Sequence, residues 1–331
     1  RNQTMHRQAW TWLWVALSLG AGVSLSPLAP AVAFAQETFL DGAQAGAEFV
    51  RQVEYLGTAG TGLFAVQLVA LGDGKYQGVL YAKGLPGGTW DNKTRLALTG
   101  ETADATVHLK GQNCVAVLQD NVLKGELDGV PFELKKVARQ SPTLGAKPPE
   151  GAVVLFDGSN VDQWQNGKLV EGNLLAVGTR TKQTFKNYTL HLEFRTPFMP
   201  KARGQGRGNS GLYLNDQYEF QILDSFGLSG ENNECGGYYS FAKPKLNMCL
   251  PPLTWQTYDV EFTMARFDDK GAKIKPAVAT IRLNGVPVHE NYEIPKFNGG
   301  GGLADESKPG GIYLQDHGNP VHFRNIWVLE Q

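Results

Sequence analysis

Cysteine is scarce in this chain: Cys114, Cys235 and Cys249 are the only three in 331 residues. No CxxC pair and no HExxH motif occurs, so the spacing signatures of zinc sites are missing. No basic tract occurs either. Lys and Arg number 31 against 32 Asp and Glu, leaving a formal net charge of −1. That balance argues against nucleic acid or an anionic membrane surface as partner. Charged residues are a modest 19%, while glycine is abundant at 40 residues, the balance of a strand-and-turn protein. No internal repeat is evident.

The one long apolar run lies near the N-terminus. Met5-His6-Arg7 precede it, it spans Trp10 to about Leu28, and Ala33-Phe34-Ala35 close it. A basic start, an apolar middle and a small-x-small ending describe a secretory signal peptide over 1–35. Gly20, Gly22, Ser24, Ser26 and Pro27 interrupt the run, which argues against a spanning helix of about 20 apolar residues. The expectation is an exported protein, periplasmic or extracellular, with no stable membrane span after cleavage. In an oxidising compartment Cys235 and Cys249 are candidates for a disulfide closing a short loop; two buried free thiols are the alternative.

A Pro-rich polar linker over 139–150 divides the remainder into two parts. Upstream, 42–138 reads as a small β-domain. Phe64 to Leu71, a turn at Asp73-Gly74 and the return at Tyr76 to Tyr81 form a hairpin, and Asp128-Gly129 signals another. Ala43 to Tyr55 is a candidate helix ahead of them. Downstream, 151–331 is also strand-rich. Leu190, Leu192 and Phe194 alternate with His191, Glu193 and Arg195; Tyr218, Phe220 and Ile222 alternate with Glu219 and Gln221. Successive strand side chains point to opposite faces, so each segment buries one face and presents polar groups on the other. Asn284-Gly285 marks a tight hairpin. Many such strands without a long helix imply two packed sheets. The fold class is therefore all-β.

Candidate chemistry centres on Tyr218 to Asp224. Glu219 and Gln221 leave the strand on one face. Asp224 joins them only if the strand bulges or ends near Leu223. Carboxylates spaced along a strand are how glycan enzymes place an acid and a base around a sugar ring. The alternative is a solvated face whose acids pair with Arg195 or Arg324. Asn209 precedes this strand, Tyr239 follows it in an aromatic segment suited to stacking on a sugar, and Gln315 and His317 share one side of a strand end. Histidine exchanges protons near neutral pH, and arginine suits multidentate contact with hydroxyls or carboxylates. Trp255 reads as core. Asp268-Asp269 and Asp305-Glu306 read as solvated turns, so no metal ligand is assigned; Ca²⁺ stays unassigned there and no cofactor is expected.

Two resemblances attach to these residues. The acidic strand resembles the Glu-x-Asp-x-x-Glu strand of laminarinase- and lichenase-type glucanases, with Gln221 in place of the central acid and Asp224 in place of the last. More of the chain is covered by a second. Val154 to Gly158, Asn209 to Tyr213, Glu219-x-Gln221-Ile222-Leu223-Asp224, and Gln315 to Gly318 through Phe323-Arg324-Asn325-Ile326 occur in that order. Together they resemble the 3-keto-disaccharide hydrolase domain family, a former domain of unknown function common in planctomycete-type secreted proteins. The resemblance spans about 151–331. It implies a concanavalin-like jelly-roll sandwich acting on 3-keto-glycosides, by hydrolysis or by elimination followed by hydration. Glu219, His317 and Asp224 are then the catalytic candidates, and Arg195, Asn209, Gln221, Tyr239, Gln315 and Arg324 the substrate-binding ones. A non-catalytic carbohydrate-binding protein on the same fold is the alternative.

Overall fold

The structure, a computed structural model, describes residues 37–331; the signal-peptide expectation lies outside the described residues. Residues 37–331 lie within one compact unit. Among the described residues no helix is long and apolar enough to cross a membrane.

Eight antiparallel strands from Glu54–Ala59 to Val130–Val137 close a barrel, the first pairing with the last from Glu54↔Val137 to Ala59↔Phe132. The alternation explains the fold locally. In Thr106–Gly111, Val107 and Leu109 are buried while His108 and Lys110 are exposed. Turns fall where a positive φ is tolerated: Asp73 and Gly74 sit at φ 54° and 72°, Asp128 and Gly129 at 51° and 78°, the geometry of two-residue hairpins. The helix ahead of the barrel is shorter than expected, only Gly46–Arg51. Glu54 and Tyr55 are drawn into the first strand, where Tyr55 is fully buried.

Two sheets follow, packed face to face. One has five strands in the order Trp164–Gln165, Thr179–Thr181, Tyr313–Leu314, Ser210–Leu214, Tyr218–Ile222. The other has eight, with Tyr188–Arg195 between His322–Glu330 and Gln256–Thr263. Leu190, Leu192, Phe194, Val260 and Phe262 from the larger sheet share a core with Leu212, Leu214, Phe220 and Ile222 from the smaller. The tight turn at Asn284 and Gly285 joins Ala277–Leu283 to Val286–Ile294.

Residues 141–146 do not behave as a free linker. They lie along the outer face of the larger sheet. Thr143 Oγ1 donates to Asp259 Oδ2 at 2.6 Å, the Gly145 N–H donates to Glu193 Oε1 at 2.6 Å, and Ala146 O accepts from Asn325 Nδ2 at 3.0 Å. They cover a buried polar cluster in which His191 Nδ1 meets Asp259 Oδ1 at 2.6 Å and Arg324 Nε donates to Glu193 Oε2 at 2.6 Å. Buried charges persist where they are paired and hydrogen-bonded, and Glu193 is accordingly held down at about 2: burial alone raises it, and bonds from His191, Asn325, Gly145 and Arg324 outweigh that.

Candidate active site

The inward residues of Tyr218–Ile222 belong to the core, so Glu219 and Gln221 face outward from the five-stranded sheet. The register places Tyr213 opposite Glu219 and Gly211 opposite Gln221. Tyr313–Leu314 pairs with the other side of Ser210–Leu214, which brings Gln315 and His317 to this face. Glu219, Gln221, Asn209, Tyr239, Gln315 and His317 line one hollow of ≈ 210 Å³. That is below the roughly 300–1,000 Å³ of sites enclosing drug-sized ligands and suits a single sugar ring.

Glu219 is 4% exposed, and the Tyr213 hydroxyl donates to its Oε2 at 2.8 Å. Burial pushes the carboxyl up to about 7, against the lowering effect of that hydrogen bond. Burial and the neighbouring Glu219 push the Tyr213 phenol up in turn, so the tyrosine stays a donor. A Cβ at Gly211 would stand 2.6 Å from Glu219 Oε1, so any side chain there would displace the end of the carboxyl. Asn298 pins the strand from above, accepting the Glu219 N–H at 2.8 Å and donating to the carbonyls of Glu219 and Tyr239, each at 3.2 Å.

The amides around the carboxyl are oriented in one sense. Asn209 Nδ2 donates to Gln205 O at 2.8 Å, Gln221 Nε2 to Gln205 Oε1 at 2.9 Å, and Gln315 Nε2 to the Tyr213 oxygen at 3.1 Å. Their NH₂ groups are therefore engaged within the protein. Asn209 Oδ1, Gln221 Oε1 and Gln315 Oε1 are buried without a partner. Buried acceptors left unmade are uncommon and call for an explanation. All three belong to side chains that line the hollow beside the carboxyl, where an amide oxygen turned outward would accept from a hydroxyl group. His317 is exposed at the rim, two residues beyond Gln315.

Three expected site residues are elsewhere. The strand ends at Ile222, and Asp224 turns inward to a buried ion pair, Arg207 Nε–Oδ2 at 2.7 Å. Arg207 also reaches Ala70 O in the barrel and Gln52 Oε1 just ahead of it, so this pair ties barrel to sandwich. Arg195 and Arg324 belong to the larger sheet and face away from the core, because their strands run through the other layer. Cys235 and Cys249 are buried free thiols and no disulfide joins them. Trp255 is half-buried rather than core, with the Arg324 and Arg195 guanidiniums at 4.1 and 5.0 Å from its ring centre. Asp305 accepts from Ser307, and Glu306 from the Tyr218 hydroxyl and Lys273. Among the described residues no three acidic, imidazole or thiol groups gather as a cation site.

Tyr213, Gln205 and Asn298 line the hollow but were not among the expected residues. Tyr213 carried a signal, since its alternation with Leu212 and Leu214 puts it on an outward face. Gln205 comes from a single 3-10 turn, Gly204–Gly206, and Asn298 from a loop, neither with a periodicity to read.

An acid-bearing, amide-lined hollow on an all-β sandwich has chemistry suited to a carbohydrate-active protein, and the comparisons point to that class. Residues 151–329 match the family model of the 3-keto-alpha-glucoside-1,2-lyase-like domain, and the chain belongs to that family. A solved putative glycosyl hydrolase from Parabacteroides distasonis is 30% identical, with a TM-score of 0.50 over 55% of this chain and 85% of that one. A second from the same organism is 18% identical, with a TM-score of 0.38 over 55% of this chain and 94% of that one. No curated protein matches the chain.

Proposed function

We propose that the protein is an exported enzyme that cleaves glycosidic bonds of 3-keto-glycosides at this hollow, on a concanavalin-like jelly roll. The observation that carries the reading is Glu219: a buried carboxyl held near neutral pH, beside three unpartnered amide oxygens. A general base works best with a pKa near the operating pH. A purely sugar-binding surface needs the amide oxygens but has no use for such an acid.

A ketone at C3 acidifies the hydrogen at C2. The Glu219 carboxylate takes that proton, and the electron pair of the C2–H bond passes into the enolate. The enolate collapses to regenerate the ketone, forms the C1=C2 double bond and expels the oxygen at C1. That oxygen leaves with a proton from His317 at the rim. Water then adds across C1=C2, returning a hydrogen to C2 and a hydroxyl to C1, for net hydrolysis. The family's description as a 1,2-lyase supports elimination as the first stage. Asn209, Gln221 and Gln315 hold the ring through its hydroxyls, and Tyr213 keeps the carboxyl oriented.

The test is incubation of the purified protein with a 3-keto-disaccharide and with the matching unoxidised disaccharide, following released sugar. Release from the keto-sugar alone supports the proposal. Binding of both without release favours a carbohydrate-binding protein.

A further inference from the structure

Arg195 and Arg324 do not serve the hollow of Glu219, and their surroundings have features of a site. A cleft of ≈ 740 Å³ opens on the far side of the larger sheet, against the segment that precedes the barrel. Arg195 stands directly across the strand pair from His322, and Arg324 lies two residues further along the same strand. All three line the cleft, together with Trp255, Asp41 and Glu171.

Two of these groups are incompletely satisfied. His322 is 6% exposed, and its Nδ1 is buried without a partner. Arg324 has Glu193 as its counterion, but among the described residues no carboxylate lies within ion-pair distance of Arg195. Burial and the like charge of Arg324 weigh on the Arg195 cation, and only Asp41 offsets them, from a distance. A partly buried cation in that position gains from an oxyanion, which a guanidinium binds with fork geometry.

The rim narrows the choice of ligand. Asp41 and Glu171 are exposed carboxylates at the mouth. They repel a bare anion but accept hydrogen bonds from hydroxyls. The cleft volume also falls in the range of sites for ligands larger than a simple ion. We propose that this cleft is a second saccharide site, one that takes an acidic sugar by its carboxylate on Arg195 and His322, with the ring hydroxyls toward Asp41 and Glu171. The site is separate from the proposed catalytic hollow and does not depend on it.

Isothermal titration of the signal-cleaved chain with a glucuronate-terminated disaccharide tests this, with the neutral counterpart and inorganic phosphate as parallel arms. The uronate is expected to bind, and the other two to bind at least about tenfold more weakly. Arg195→Gln should weaken uronate binding roughly tenfold or more. Glu219→Gln should leave it unchanged. Arg195→Lys keeps the positive charge but loses the fork, should weaken uronate binding about threefold, and decides the matter if Arg195→Gln fails to fold. The proposal is overturned by absence of uronate binding, by equal binding of the neutral sugar or phosphate, or by loss of binding in Glu219→Gln. Unchanged affinity in Arg195→Lys or in a folded Arg195→Gln overturns it as well.

Discussion

The Tyr213 hydroxyl faces Glu219 across a strand pair and donates to its Oε2 at 2.8 Å. This one contact fixes where the carboxyl points while burial keeps its affinity for a proton high. If Glu219 is the base, Glu219→Gln should lower turnover by about 10²-fold or more with the fold intact. Steady-state kinetics on a 3-keto-disaccharide, with circular dichroism as control, measures this.

The raised carboxyl also sets a pH dependence of stability. Glu219 ionises near 4.5 when unfolded and near 7 when folded. The folded state therefore holds the proton more tightly, and its stability falls as pH rises from about 4.5 through 7. The full difference is on the order of 3 kcal/mol. Glu219→Gln escapes it. Denaturant unfolding should show the variant gaining on the wild type between pH 4 and pH 8, with no gain below about pH 4.

Turnover should respond to the same group in the opposite sense. Activity as a base needs the ionised form, so kcat/KM should rise with pH through about 7. Tyr213→Phe removes a donor that stabilises the carboxylate, and should move that rise to higher pH. An unshifted profile in Tyr213→Phe would mean that another group titrates.

Asp224 offers a contrast. It is bound to Arg207 in a buried pair that touches the barrel. Breaking such a pair leaves an unpaired buried charge, at a cost of about 3–5 kcal/mol. Asp224→Asn should lower the melting temperature sharply while the folded fraction keeps its kcat. Gly211→Ala should do the reverse. Its methyl would displace the end of the Glu219 side chain, so activity falls more than stability.

Local order was legible in the chain. Tyr218, Phe220 and Ile222 alternate with Glu219 and Gln221, and that period of two assigned the inner and outer faces of the strand. Asn284-Gly285 marked its hairpin. What alternation cannot carry is which sheet a strand joins. Arg195 and Arg324 sit on polar faces just as Glu219 does, but their strands pair with each other in the opposite layer. Asp224 lies past the strand end, where the period no longer holds. The polar segment 141–146 looked like a spacer because its composition is that of one. Its hydroxyls and N–H groups instead complete hydrogen bonds for Asp259 and Glu193, partners more than 40 residues away.

The most direct test is to run the reaction in D₂O and locate deuterium in the released keto-sugar, corrected for exchange without enzyme. Elimination at C2 by Glu219 followed by hydration places one deuterium at C2, and Glu219→Gln should release almost none of that product. Retention of protium at C2 in the wild-type product, or labelled product formed at the wild-type rate by Glu219→Gln, would contradict the role given to this carboxyl.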